Sequence, residues 1–129
     1  MDRATAIEIL KKQLDNIVDF KPDGKIFSLN YKKDLSYKLQ LVNGVYLRKK
    51  YCQTAIFISW EISTIAILNN IFGPTHPLVV KFKMLSYDND FNPTFQPTEL
   101  DYALEFLKGI EMAEKILDEL IFELRTKSH

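Results

Sequence analysis

Few residues in this chain are equipped for chemistry, and most of them stand alone. Glu61 is the one carboxylate in the apolar run from Thr54 to Phe72. A carboxylate among apolar side chains is costly unless something pairs with it or uses it. A Lys or Tyr partner is the structural account, and a general acid or base is the functional one. Ser59, Ser63 and Thr64 surround it. Such hydroxyls either join a polar cluster or bond the carbonyl one turn back. Trp60 offers a flat ring that stacks on a ligand or fills a core. His76, in Gly73-Pro74-Thr75-His76-Pro77, has the chemistry of a general base, but no nucleophile is marked beside it. Glu61 with His76 is the one enzymatic pairing the sequence offers.

Other chemistries are excluded by counting. Cys52 is the sole cysteine, so a disulfide scaffold is out and a buried thiol is the default. One Cys with His76 and His129 leaves a structural zinc site short of ligands. The glycines, Gly24, Gly44, Gly73 and Gly109, are too dispersed for a phosphate-binding loop. A ribonuclease motif of Arg and His with four to six residues between them is not met by Arg125 and His129, which have three between. The expectation is a protein without cofactor, metal or catalytic residue.

Charge is balanced in total and segregated in sequence. The 129 residues carry 17 Lys or Arg and 17 Asp or Glu. Residues 21 to 51 hold eight basic and two acidic side chains, net +6, whereas residues 97 to 129 hold four and eight, net −4. One consequence is attraction between the two segments, within a subunit or across a homo-oligomer. The other is an anion site, because Arg48, Lys49 and Lys50 are interleaved with Tyr46 and Tyr51. Basic groups bind phosphates and aromatic rings stack on bases. A small nucleotide-like ligand suits this better than long nucleic acid, which the acidic remainder would repel. The candidate ligand-binding set is therefore Tyr46, Arg48, Lys49, Lys50, Tyr51, Trp60 and Glu61.

These residues must be held by secondary structure, and the apolar periodicity says which. Ile7, Leu10, Leu14, Ile17 and Val18 form one helical stripe, with Thr5 as N-cap and Glu8 closing a capping box, so a helix is expected over 5–20. Residues 35–51 are ambiguous. Asn43-Gly44 is a hairpin signal, but that register sets Lys38 against Lys49 and Leu39 against Arg48. A helix starting at Asp34 is favoured, at a cost of about 1 kcal/mol for Gly44. Tyr51 to Phe72 reads as a helix apolar nearly all round, stopped by Gly73-Pro74 and expected in the middle of a bundle. Residues 79–85 suit a short helix or an edge strand. Thr98 caps a long helix with Leu100, Leu104, Leu107, Ile110, Leu117, Leu120 and Leu124 on its stripe. The fold class is all-α: a single domain over 1–129, a bundle of about four main helices, with a short hairpin or edge strand in 36–50 or 79–87 as the open variation. With 47% hydrophobic and 26% charged residues the composition is that of a globular domain. Glu61 in mid-run argues against a membrane span, and the charged start, with Asp2, Arg3 and Glu8, against a signal peptide, so a cytoplasmic protein is expected.

One pattern has a family likeness. Trp60-Glu61, Thr64, Ile67-Leu68, Ile71-Phe72-Gly73, Pro77, Val80 and Phe82 are followed by Phe106, Gly109-Ile110, Ala113, Ile116-Leu117 and Leu120. Over residues 53–124 this resembles a small helical accessory domain of bacterial anti-phage defence proteins, where it sits beside TIR-like or predicted nucleotide-binding domains. The resemblance implies a role in immunity or counter-immunity and transfers no catalytic residue. It leads to a homo-oligomeric binder that sequesters a small nucleotide signal. The alternatives are an interaction module docking on a defence effector protein, and an enzyme using Glu61 and His76.

Overall fold

The computed structural model describes residues 2–20, 39–42, 45–48, 55–87 and 99–126. Four helices account for most of them. Helix α1 spans Arg3–Asn16 and runs on into a 3-10 turn at Ile17–Asp19. Helix α2 is Ala55–Phe72, α3 is Pro77–Lys83 and α4 is Glu99–Thr126. Helix α1 packs on α4 and on α2, and α3 closes against both α2 and α4. The all-α bundle read from periodicity is the architecture observed.

Helix α1 starts earlier than its Thr5-Glu8 box suggests. Asp2 is the N-cap, and its Oδ1 accepts the Thr5 N–H at 2.7 Å. That hydrogen bond holds the Asp2 carboxyl below the usual carboxylate range. The buried stripe is also rotated relative to expectation. Ala6, Leu10, Gln13 and Ile17 are buried, Ile7 and Leu14 are half-buried, and Val18 is exposed. At 100° per residue Val18 lies well round the helix from that stripe.

Between α1 and α2 the structure describes a two-stranded antiparallel hairpin, β1 at Leu39–Val42 and β2 at Val45–Arg48. This corrects the favoured helix at 35–51. The observed register pairs Leu39 with Arg48 and Val42 with Val45, leaving a two-residue connection. Asn-Gly is the preferred chemistry for a two-residue connection, and Asn43 and Gly44 themselves lie outside the described residues.

Helix α2 ends at Gly73, whose φ of +88° is left-handed and favours glycine. His76 then caps α3, with its Nδ1 accepting the Leu78 N–H at 3.1 Å, and Pro77 takes the first helical position, where no N–H is needed. Helix α4 buries Phe106, Ile110, Ala113, Ile116, Leu117, Leu120 and Ile121. Leu104, expected on that stripe, is exposed, and Phe106 fills the place instead. The expected cap Thr98, and the side chains of Leu100 and Ala103, lie outside what is described.

The core is aromatic at one end. The Phe57 ring meets Phe20, Tyr87 and Phe106 edge-on, with centroids 5.5, 4.7 and 4.9 Å away. Such geometry adds to plain burial. Gly109 makes it possible: a Cβ there would stand 2.5 Å from the Tyr87 ring and 2.8 Å from the Ser86 carbonyl. The glycine is the gap through which residues 86–87 reach α4.

Candidate functional site

The sequence-selected residues separate in space. Trp60 belongs to the core. Its ring contacts Phe20, Phe57 and Phe82, and its Nε1–H donates to the Gln13 carbonyl at 2.9 Å. That carbonyl is free because Ile17 turns its N–H to Leu14 instead, at the change from α-helix to 3-10 turn. The Gln13 side chain completes the lock, donating to Thr64 Oγ1 at 2.6 Å and to Ser63 Oγ at 3.2 Å. Both hydroxyls in turn donate to the Trp60 carbonyl. The serine and threonine near Glu61 therefore fasten α2 to α1 and leave Glu61 out. Ring stacking on a ligand is not available to an indole enclosed in this way.

Glu61 is half-buried, and burial raises its carboxyl above the ordinary value. Its charged neighbour effect falls on Tyr87, whose phenol is pushed well above the tyrosine range, first by burial and then by Glu61. The Tyr87 hydroxyl has no hydrogen-bond partner among the described residues. The expected Tyr neighbour is present, but the two groups form no bonded pair.

His76 and Glu61 are not brought together. Glu61 precedes the end of α2 by eleven residues, about 16 Å of helix. His76 instead donates from Nε2 to the Glu123 carboxylate, 3.1 Å from both oxygens. With Nδ1 accepting from Leu78, the neutral ring must carry its proton on Nε2. This pair lies on the wall of an open cleft of about 910 Å³ at one end of the bundle, formed also by Arg3, Ile7, Ile71 and Phe72. Among the described residues no hydroxyl or thiol lines the cleft. Glu123 was not singled out in sequence, and nothing in its spacing marks it. Gln13 could have been found: it falls on the buried stripe between Leu10 and Ile17, where a polar residue needs a partner.

Of the basic-aromatic set, Tyr46 pairs with Leu41 and Arg48 with Leu39 in the hairpin. Lys49, Lys50, Tyr51 and Cys52 lie outside the described residues.

The most unusual surface is on α2 itself. The helix was expected to be buried on most sides, and it is not. Phe57, Trp60, Thr64 and Leu68 are its buried residues. Ile56, Ile58 and Ile62 are 49%, 41% and 64% exposed. Ala55, Ile58, Ile62 and Ala66, all exposed, make a second stripe on the flank away from the core. By length and composition alone α2 could also cross a membrane, the one described helix that could. Single exposed apolar residues, such as Val18, Met84 or Phe122, are ordinary, whereas these four adjoin one another along one helix.

No known family, curated protein or solved structure matches this chain. Of the residues that carry the sequence likeness, Trp60, Thr64, Leu68, Phe82, Phe106, Gly109, Ile110, Ala113, Ile116, Leu117 and Leu120 are buried, Glu61, Ile67, Ile71, Phe72 and Gly73 are half-buried, and Pro77 and Val80 are exposed.

Proposed function

We propose that this chain is a non-enzymatic helical interaction module that presents the outer flank of α2 to a protein partner. The observation that carries this is the exposure of Ile58 and Ile62, with Ala55 and Ala66, along one flank of a helix whose sole charged residue is Glu61. Outer faces of bundle helices are ordinarily polar, and an apolar one is stabilised by being covered. The cleft at His76 supports catalysis less well, because both imidazole nitrogens are engaged, Nδ1 by the Leu78 N–H and Nε2 by Glu123. A photoreactive phenylalanine analogue replacing Ala66 tests the reading in cells expressing the full chain. A protein adduct at position 66, with none when the analogue replaces exposed Lys115 on α4, is the expected result. Adducts at neither position would contradict it.

A second reading is the sequestration of a small nucleotide signal in anti-phage immunity or counter-immunity. It is favoured by the net +6 of residues 21 to 51 and by Tyr46, Arg48, Lys49, Lys50 and Tyr51 within them. Its test is thermal shift with a nucleotide panel. A ligand present at about 100 times its Kd adds about 2.7 kcal/mol, a rise of several degrees. Arg48→Glu with Lys49→Glu should abolish that rise, and a flat panel at millimolar ligand removes this reading.

A further inference from the structure

Glu61 stands where the apolar row on α2 meets the core, and nothing around it answers its charge. It makes no hydrogen bond or ion pair among the described residues. Burial raises its carboxyl, and no opposite charge offsets that cost. A second polar group beside it is also unanswered. Tyr87 is 7% exposed, and its hydroxyl is buried without a hydrogen-bond partner among the described residues. It lies close enough to Glu61 for the carboxylate to act on the phenol. An orphaned phenol beside an orphaned carboxylate is costly inside one subunit, and a donor from outside relieves it.

Resting on the reading above, we infer that Glu61 is the anchor for an arginine side chain of the protein partner that covers the α2 flank. Along the helix the carboxylate has isoleucines on both sides. Ile58, 41% exposed, lies one turn below it and about 60° round, and half-buried Ile65 lies one turn above it and about 40° round. Ile62 opens the exposed row beside it. An arginine meets such a place with both its parts: the methylenes lie along isoleucine and the guanidinium ends on the carboxylate. Lysine fits less well. Its ammonium is more strongly hydrated, so a half-buried site costs it more, and the guanidinium fork has donors for a carboxylate and a phenol oxygen at once. The size of the patch agrees. Two isoleucines and two alanines suit one anchoring side chain and the turn that carries it, whereas a folded partner's standard interface takes about 20–30 residues a side.

Three probes that share a butyl tail test the inference on the full chain: n-butylguanidinium, n-butylammonium and pentanoate. Each is titrated to millimolar concentration while the methyl signals of Ile58 and Ile62 are followed by NMR. The guanidinium should give saturable shifts, the ammonium should bind at least several-fold more weakly, and pentanoate should give none. Glu61→Gln keeps the side chain's shape and removes its charge. It should abolish the guanidinium shifts without lowering Tm, and it should cut the adducts from the analogue at position 66 at least several-fold. Absence of saturable shifts, shifts that survive Glu61→Gln, or equal shifts with pentanoate overturn the anchor. Equal binding of n-butylammonium overturns the choice of arginine. If adducts from position 66 persist undiminished in Glu61→Gln, the interaction reading stands and only the arginine anchor falls. If the unsubstituted Glu61 protein gives no adducts there, the interaction reading itself falls.

Discussion

Helices α2 and α4 obey one packing rule and differ in what they show to the outside. Each buries a stripe at spacings of three and four: Phe57, Trp60, Thr64 and Leu68 on α2, and Phe106, Ile110, Ala113, Leu117 and Leu120 on α4. Opposite its stripe, α4 exposes Glu111, Lys115, Asp118 and Glu119, with Leu104, Met112 and Phe122 set among them. Its ion pair between Glu105 and Lys108, at 3.5 Å and largely in water, contributes little to stability. The charges separate its exposed apolar side chains from one another. Opposite its stripe, α2 exposes isoleucine and alanine. Burial inside the subunit is thus comparable, and the outer faces differ in that the charges of α4 interrupt its apolar residues whereas the row on α2 carries none.

The comparison is broken most forcefully inside the stripes. Phe57→Ala removes the ring that Phe20, Tyr87 and Phe106 enclose and should cost about 3–5 kcal/mol in chemical denaturation. Ile62→Glu, five residues away, should change subunit stability by no more than about 0.5 kcal/mol while weakening capture of a partner from position 66. If the two costs were similar, the flank would be core rather than surface.

Gly109→Ala probes the junction between α4 and residues 86–87. The added methyl meets the Tyr87 ring and the Ser86 backbone carbonyl, and only the ring can shift. Overpacking of about 1–3 kcal/mol should outweigh the roughly 1 kcal/mol that alanine adds in helix propensity. A rise in Tm would contradict the close approach.

Thr64→Val keeps shape and removes the acceptor of the Gln13 amide. It should cost about 1–3 kcal/mol, because a buried donor is left without its best partner. Gln13→Leu added to it should recover part of that loss, which a double-mutant cycle measures. Additive losses would show that the lock between α1 and α2 is not a coupled unit.

The smallest effect concerns the edge of the flank. Burial raises the Glu61 carboxyl above its ordinary 4.5, so the folded chain holds that proton more tightly than the unfolded one. Stability should therefore fall as pH rises from 4.5 through the folded-state value, with the penalty complete above that window and absent below it. Glu61→Gln should flatten this part of the profile in urea melts between about pH 4 and about pH 7. A profile unchanged by the substitution would assign the dependence elsewhere.

Much of the fold was legible from residues because helices announce themselves by period. The ends of α2 and α3, set by Gly73 and Pro77, follow from local chemistry that needs no tertiary context. What was not legible depends on context. Asp2 displaced Thr5 as the cap because the helix could begin wherever a carboxylate first met its N–H groups. The hairpin at 39–48 and the helix at 35–51 have similar local merits, and the observed register places Leu39 opposite Arg48 in spite of its mixed faces. Gly109 carries no local sign that a chain segment crosses it. The apolar character of α2 was plain, but hydrophobicity alone does not distinguish a side chain buried in its own subunit from one awaiting another. Of the candidate site residues, Trp60 went to the core and Glu61 to its edge, and both were chosen for residue type. Ile58 and Ile62, the residues that matter most to the function proposed, look in sequence like any other core isoleucine.

The most direct test is photo-crosslinking from position 66 in cells expressing the full chain, with position 115 on α4 as the control. The account predicts protein adducts at position 66 and none at position 115. Adducts at neither position, or equally at both, would contradict it.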